Sequence, residues 1–206
     1  EMEPGPPIAD DIRLLRSQAE RCREILAKLK TLGEGEDVES PLIRQSVEAM
    51  LAELVAPYRG GPIEIQVDAI GLEDDRPIVW RNPAIHYGLG NLIENAVNFA
   101  HSTVSITADW SADMLHITIA DDGPGFPVEI LDRIGDPFVS RRGRGDAERG
   151  GGLGLGIFIA KTLLERNGGT VTFETDEGAI SSVSIPRSAL ARPPVALKEA
   201  PADALT

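Results

Sequence analysis

Apolar residues recur along residues 10–32 at alternating steps of three and four: Ile12, Leu15, Ala19, Cys22, Leu26 and Leu29. This a/d seam lies on a stretch free of Pro and Gly, opened by Asp10-Asp11, and predicts a helix made for a coiled coil or helical bundle. A helix so short is marginal alone and needs partners. Gly33-Glu34-Gly35 ends it. Beyond that point the pattern changes to mixed helix and strand. Leu42 to Tyr58 reads as a second helix, and Ile63 to Val67 alternates as a half-buried strand does. Pro77 to Arg81 is a weaker strand. Asn82 as N-cap and Pro83 at the first position open a helix running to about His101. Val104–Trp110 and Met114–Ala120 predict a hairpin, followed by a glycine-rich turn and a short helix near 128–133. Residues 135–152, rich in glycine and arginine, read as a loop, and Leu153–Arg166 as a helix closed by Asn167-Gly168-Gly169. A last hairpin spans Val171–Glu174 and Ile180–Ile185. The pattern divides the chain into a helical segment at 1–35, an α/β domain at 36–186 and a disordered tail, rich in Ala and Pro, at 187–206.

Composition narrows the function classes. With 42% hydrophobic and 26% charged residues, the 206-residue chain is an ordinary globular protein. No apolar run approaches the roughly 20 residues that cross a bilayer. The acidic, proline-rich start is neither a signal nor a transit peptide and is expected of an excised fragment. A net charge of -13 disfavours nucleic acid and anionic membranes as partners. Arg141, Arg142, Arg144 and Arg149 form the one tight basic cluster, suited to a small polyanion. The single cysteine, Cys22, excludes an intrachain disulfide, and His86, His101 and His116 lack metal-ligand spacing.

Three segments carry candidate chemistry. On the helix after Asn82, Asn91, Glu94, Asn95 and Asn98 share one face. Taken alone this is what a solvated helix face looks like, although Asn is a poor helix former and its amide oxygen can hold Mg²⁺ that bridges phosphates. The second segment is Asp121-Asp122-Gly123-Pro124-Gly125, which delivers a carboxylate to a strand end beside glycines that allow close backbone approach. By itself it is equally good turn chemistry. The third, Gly150-Gly151-Gly152-Leu153-Gly154-Leu155-Gly156, leads into a helix and can offer successive amides to phosphates. It follows no strand, and no Gly-Lys-Ser/Thr signature is present, so neither a dinucleotide fingerprint nor a P-loop fits.

In this order and spacing the three segments resemble the GHKL ATP-binding family, which includes histidine kinases, Hsp90, type II topoisomerases and MutL. Asn91 to Asn95 resembles the kinase N box, Asp121 to Gly125 the G1 box, Pro137-Phe138 the F box and Gly150 to Leu155 the G2 box. The resemblance implies an α+β fold: a two-layer α/β sandwich of the Bergerat type, a mixed sheet with helices on one face. It is preceded here by one helix of a dimerisation hairpin. ATP and Mg²⁺ are the implied ligands. Asp121 would accept from the adenine amino group, Asn95 would coordinate Mg²⁺, Asn91 would line the phosphates, and Phe99 would stand beside the adenine. Gly123 and Gly125 would admit the base, and Gly152, Leu153, Gly154 and Leu155 would present the phosphate loop. The loop 139–151, with Arg141 and Arg142, would act as the ATP lid, next to Phe138 of the F box.

The hydrolysing members carry a water-activating glutamate four residues before the Mg²⁺ asparagine, where this chain has Asn91. A kinase is thus favoured over an ATPase, with Glu94 in a supporting catalytic role. None of the three histidines has the surroundings of an acceptor, so the phosphorylated histidine is expected upstream. The seam helix is similar to that of the RegB/PrrB/ActS redox-responsive kinases, in which Cys22 would match the redox-active cysteine. The implied partners are a second copy joined through that helix and the receiver domain of a response regulator. The implied location is the cytoplasmic side of a membrane-anchored sensor. A different class stays open: an anti-sigma-like binding module or scaffold with the same fold and no kinase activity.

Overall fold

The computed structural model describes residues 44–71, 75–136 and 156–191. The predicted seam helix with Cys22, residues 137–155 (most of the predicted loop and the predicted start of the following helix) and residues 192–206 lie outside the described residues. In chain order the elements are β1 (Arg44–Ser46), α1 (Val47–Val55), a 3-10 turn (Ala56–Tyr58), β2 (Glu64–Ile70), β3 (Ile78–Trp80) and α2 (Pro83–Phe99). There follow β4 (Thr103–Trp110), β5 (Met114–Asp121), a 3-10 turn (Val128–Arg133), α3 (Gly156–Arg166), β6 (Thr170–Thr175), β7 (Ala179–Pro186) and the one-turn helix α4 (Arg187–Leu190).

Period-two alternation builds the main sheet. Val104, Ile106 and Ala108 of β4, Leu115, Ile117 and Ile119 of β5, and Val183 and Ile185 of β7 are buried on one face. Their neighbours Ser105, Thr107, Thr118, Ser182 and Ser184 occupy the other and stay partly exposed. The strand order is β2-β4-β5-β7-β6, with β2 parallel to β4 and the remaining pairs antiparallel. The apolar faces of α1, α2 and α3 join the buried sheet face in a single core. This is the expected two-layer arrangement with a mixed sheet.

The two helices that frame the site are fixed at their ends. Asn82 caps α2 by accepting from Ala84 N (2.9 Å) and Ile85 N (3.3 Å), and its amide donates to Asn167 Oδ1 at 2.8 Å. The start of α2 is thereby tied to the end of α3. Gly168, with φ at +86°, ends α3 while Gly169 N donates back to Leu164 O at 3.0 Å. Between the helices, a Cβ on Gly88 would lie 2.8 Å from Leu164 Cγ, so bare glycine allows the close crossing.

The structure departs from the sequence reading in three places. Arg44–Ser46 is a strand paired with β3, not the first turn of a helix. The Ser46 hydroxyl accepts from Ala49 N and starts α1 only at Val47, which frees the preceding residues to extend. Second, β2 is mostly exposed (Val67 39%, Ile70 58%), because it forms an edge of the main sheet. Third, the tail does not begin at 187. The Arg187 guanidinium forms a two-pronged pair with the Asp75 carboxylate (2.6 and 2.9 Å), Leu190 is buried, and Trp80 Nε1 donates to Ala191 O. These anchors bring residues 187–191 into the domain.

Candidate nucleotide site

Burial of Leu89, Leu92, Ile93 and Ala96 sets the rotation of α2. That rotation divides the predicted polar face: Asn91 and Asn95 are half-buried, whereas Glu94 and Asn98 are exposed. Asn91 Nδ2 donates to Tyr87 O at 2.8 Å, which turns its oxygen outward as an acceptor. A Cβ on Gly156 would lie 3.6 Å from Asn91 Oδ1. The first described turn of α3 therefore adjoins Asn91. The Glu94 carboxylate acts on Tyr58, whose hydroxyl pKa is raised first by burial and second by that charge.

Asp121 is the last residue of β5 and is 8% exposed. Alternation along the strand turns it inward with Ile117 and Ile119. Its Oδ1 accepts from Gly123 N (2.9 Å) and Ala179 N (3.4 Å), while Oδ2 takes no hydrogen bond from the described residues. Burial pushes its pKa up, and the two amides partly offset that rise. A buried carboxylate with one unused oxygen is an acceptor awaiting a donor.

The glycines around it serve the protein's own backbone. A Cβ on Gly123 would collide with Phe99 O and come within 2.7 Å of Asp121 Oδ1. Gly125 has φ at +70°, and a Cβ there would strike Thr175 Cγ2. Thr175 Oγ1 accepts from Phe126 N (2.9 Å) and donates to Phe126 O (3.1 Å), fixing the turn after β5 to the end of β6. A Cβ on Gly178 would collide with Asp121 O, so the β6–β7 turn presses directly on the carboxylate's own residue. Asp122, next in line, turns the opposite way and accepts from His101 N, Ser102 N and Thr103 N at the exit of α2. These bonds hold its pKa well below the usual carboxylate range, the Ser102 hydroxyl contributing most.

A cleft of about 450 Å³, lined by Arg44, Arg76, Arg187 and neighbours, contains none of these residues. The constellation of a polar helix face and a free carboxylate oxygen at a strand end suits a ligand that presents an amino donor to Asp121. Residues 81–189, which span all of it, match the family of histidine kinase-, DNA gyrase B-, and HSP90-like ATPases. The chain belongs to this family.

As a member, it is 41% identical to the sensor histidine kinase RegB of Cereibacter sphaeroides, over 84% of this chain and 38% of RegB. It is 38% identical to the sensor protein RstB of Escherichia coli, over 48% of this chain and 23% of RstB. The chain thus spans about two fifths of RegB or less of these relatives. The nucleotide-free catalytic domain of the histidine kinase ThkA shares its fold, with a TM-score of 0.58 at 22% identity over 70% of this chain and 95% of that one. Full-length ShkA in complex with AMPPNP gives 0.61 at 23% identity, covering 86% of this chain and 38% of ShkA.

Within the ATPase-family frame, Asn91, Asn95 and Phe99 lie along α2, Asp121 ends β5, and Gly123 and Gly125 lie in the turn that follows it. Glu94 lies on the exposed side of α2. Phe138, Arg141, Arg142, Gly152, Leu153, Gly154 and Leu155 lie outside the described residues. Sequence reasoning missed Gly178 and Asp122. Gly178 sits in an ordinary-looking hairpin turn, Asp176-Glu177-Gly178, and only its long-range contact reveals its part. For Asp122 the signal was present in the alternation of β5, which turns it outward, away from Asp121.

Proposed function

We propose that this chain is the ATP-binding catalytic portion of a two-component sensor histidine kinase. It would transfer the γ-phosphoryl group of ATP to a histidine on an upstream helix, from which it passes to a response-regulator receiver domain. The observation that carries the reading is Asn91 on the phosphate side of the site, where an ATP-hydrolysing relative needs a carboxylate. An amide cannot take a proton from water, so ATP is kept for a protein acceptor.

The described residues fit adenosine triphosphate. The unused Oδ2 of Asp121 suits the adenine amino group, and a site built on that hydrogen bond discriminates against a base with a carbonyl there. Phe99 lies at the same end of α2. Among the described residues no group of three or more His, Cys, Asp or Glu side chains could hold a metal. Asn95 and Asn91 suit a magnesium ion that depends on phosphate oxygens for most of its ligands, and that ion would neutralise phosphate charge. The lid arginines Arg141 and Arg142 would add to this neutralisation.

Similarity to RegB covers 84% of the chain, more than the stretch 81–189 that matches the ATPase family. We infer a RegB-like kinase that dimerises through the seam helix, with Cys22 as a thiol switch. In the same reading this portion lies on the cytoplasmic side of a membrane-anchored sensor. Among the described residues no helix is long and apolar enough to cross a membrane.

The test supplies Mg-[γ-³²P]ATP and a histidine-bearing hairpin from a sensor kinase such as RegB. The chain alone should remain unlabelled while the hairpin gains label in its presence, and the label should move to a receiver domain. Label on the chain itself, or phosphate release outrunning transfer, would overturn the proposal.

A further inference from the structure

We propose that Asp122 is a positioning residue for the nucleotide: its carboxylate clasps the exit of α2 to the end of β5 and so fixes Asn95, Phe99 and Asp121 in one frame. The inference deepens the site reading above and rests on it. Oδ1 accepts from His101 N (2.8 Å), Ser102 N (3.0 Å) and Thr103 N (3.1 Å). Oδ2 accepts from Ser102 N (3.1 Å) and from the Ser102 hydroxyl (2.5 Å). The backbone completes the clasp, with Asp122 N donating to Thr103 O (3.2 Å) and Asp122 O bonded to His101 Nδ1 (2.5 Å). Three successive amides converging on one anion form a nest, a geometry met elsewhere around phosphates. Here the protein's own side chain fills it.

The position of the clasp sets its consequence. It grips the first residues after α2, directly beyond Phe99 and Ala100, and the residue that grips them is bonded to Asp121. Beside it Gly123 is packed so tightly on Phe99 O that no Cβ fits. The two ends of the site therefore meet through a single joint. The core grips this joint only in part: the fully buried residues of α2 end at Ala96, Val97 and Ala100 pack on the core while still partly exposed, and Asp122 itself is partly exposed. Losing the clasp frees the last turn of α2 to shift against β5 while the sandwich stays folded. Displacement of about 1 Å at a binding constellation can cost as much as about a hundredfold. The Asp122 carboxylate is turned to the exit of α2, where His101, Ser102 and Thr103 occupy both its oxygens, so its action passes through the residues that it holds.

The experiment measures Mg-ADP and Mg-GDP binding by calorimetry, and amide hydrogen exchange, for wild type, Asp122→Ala and Asp122→Asn. Asp122→Ala should bind Mg-ADP about tenfold or more weakly and prefer ADP over GDP less. Its exchange should quicken at 99–103 and 121–125 together. Asp122→Asn keeps Oδ1, which takes all three amides, and should recover most of the affinity. Wild-type Mg-ADP affinity in Asp122→Ala would overturn the proposal. So would a lowered melting temperature with unchanged Kd and base preference, or faster exchange confined to 101–103. If wild type binds neither nucleotide, the site reading fails, while the exchange pattern still decides the clasp.

Discussion

Changing Asp121 to Asn replaces one carboxylate oxygen with an amide NH₂ and leaves the shape of the side chain almost unaltered. Oδ1 can still accept from Gly123 N and Ala179 N, so the turn after β5 should hold. What changes is the second position, where the free acceptor becomes a donor facing the adenine amino group. A hydrogen bond to a charged group contributes about 1.5–3 kcal/mol, so Mg-ADP should bind about 10- to 150-fold more weakly. The empty protein should respond in the opposite direction. Burial raises the folded pKa of Asp121 above its unfolded value, so at neutral pH its ionised form opposes folding. Removing the charge should raise the melting temperature without nucleotide. Calorimetric titration and thermal melting on the same preparations measure both effects. Affinity within threefold of wild type would refute the adenine contact. A fall in melting temperature would show instead that the carboxylate maintains the fold.

Acid should separate the two neighbouring aspartates. The Asp121 carboxylate, with its pKa raised by burial, is lost first, so Mg-ADP affinity should decline as pH falls toward the ordinary carboxylate range. Asp122 has a depressed pKa; its contribution is present above the unfolded value of about 4 and disappears only as pH falls through the folded one. Nucleotide titrations and circular dichroism at stepped pH should show binding lost before structure, and coincident losses would contradict the assignment. Gly178→Ala drives a methyl group into Asp121 O; it should cost about 1–3 kcal/mol and weaken Mg-ADP binding, and an unshifted thermal melt would count against this packing. On non-reducing gels, oxidant should produce a dimer band in wild type that Cys22→Ser lacks, and no band in wild type would remove the disulfide switch.

Local signals made α2 and the central strands legible. Asn82-Pro83 is a strong start, and the alternation of β4 and β5 leaves one register in which their apolar residues share a face. Elements held by distant partners were harder to read. The strand Arg44–Ser46 depends on β3, and the turn at 187–190 depends on Asp75, more than a hundred residues away. The site shows the same division. The motif residues Asn91, Asn95 and Asp121 were visible in order and spacing, while Gly178 was not, because its role is a collision with a residue on another strand. Composition misled at the C-terminus for this reason: Ala and Pro describe how a segment behaves alone, and Arg187 supplies an anchor.

The side of α2 that faces the start of α3 bears on whether the site hydrolyses ATP or transfers its phosphate. Asn91 occupies that side with its NH₂ bound to Tyr87 O, so the oxygen beside Gly156 belongs to a neutral amide that cannot serve as a base. Glu94, the nearest carboxylate in sequence, is exposed and acts on Tyr58. Rotation explains the difference: one step along a helix turns a side chain by about 100°, and three steps return it only roughly to the same face. Restoring a base therefore requires a carboxylate at 91 itself. Moving one from 94 by a rotamer change would have to overcome a rotation fixed by Leu92 and Ile93, both buried. In the proposed reading, slow hydrolysis follows from one side chain, Asn91, and the buried face of α2 would hold a carboxylate at that position in the same orientation.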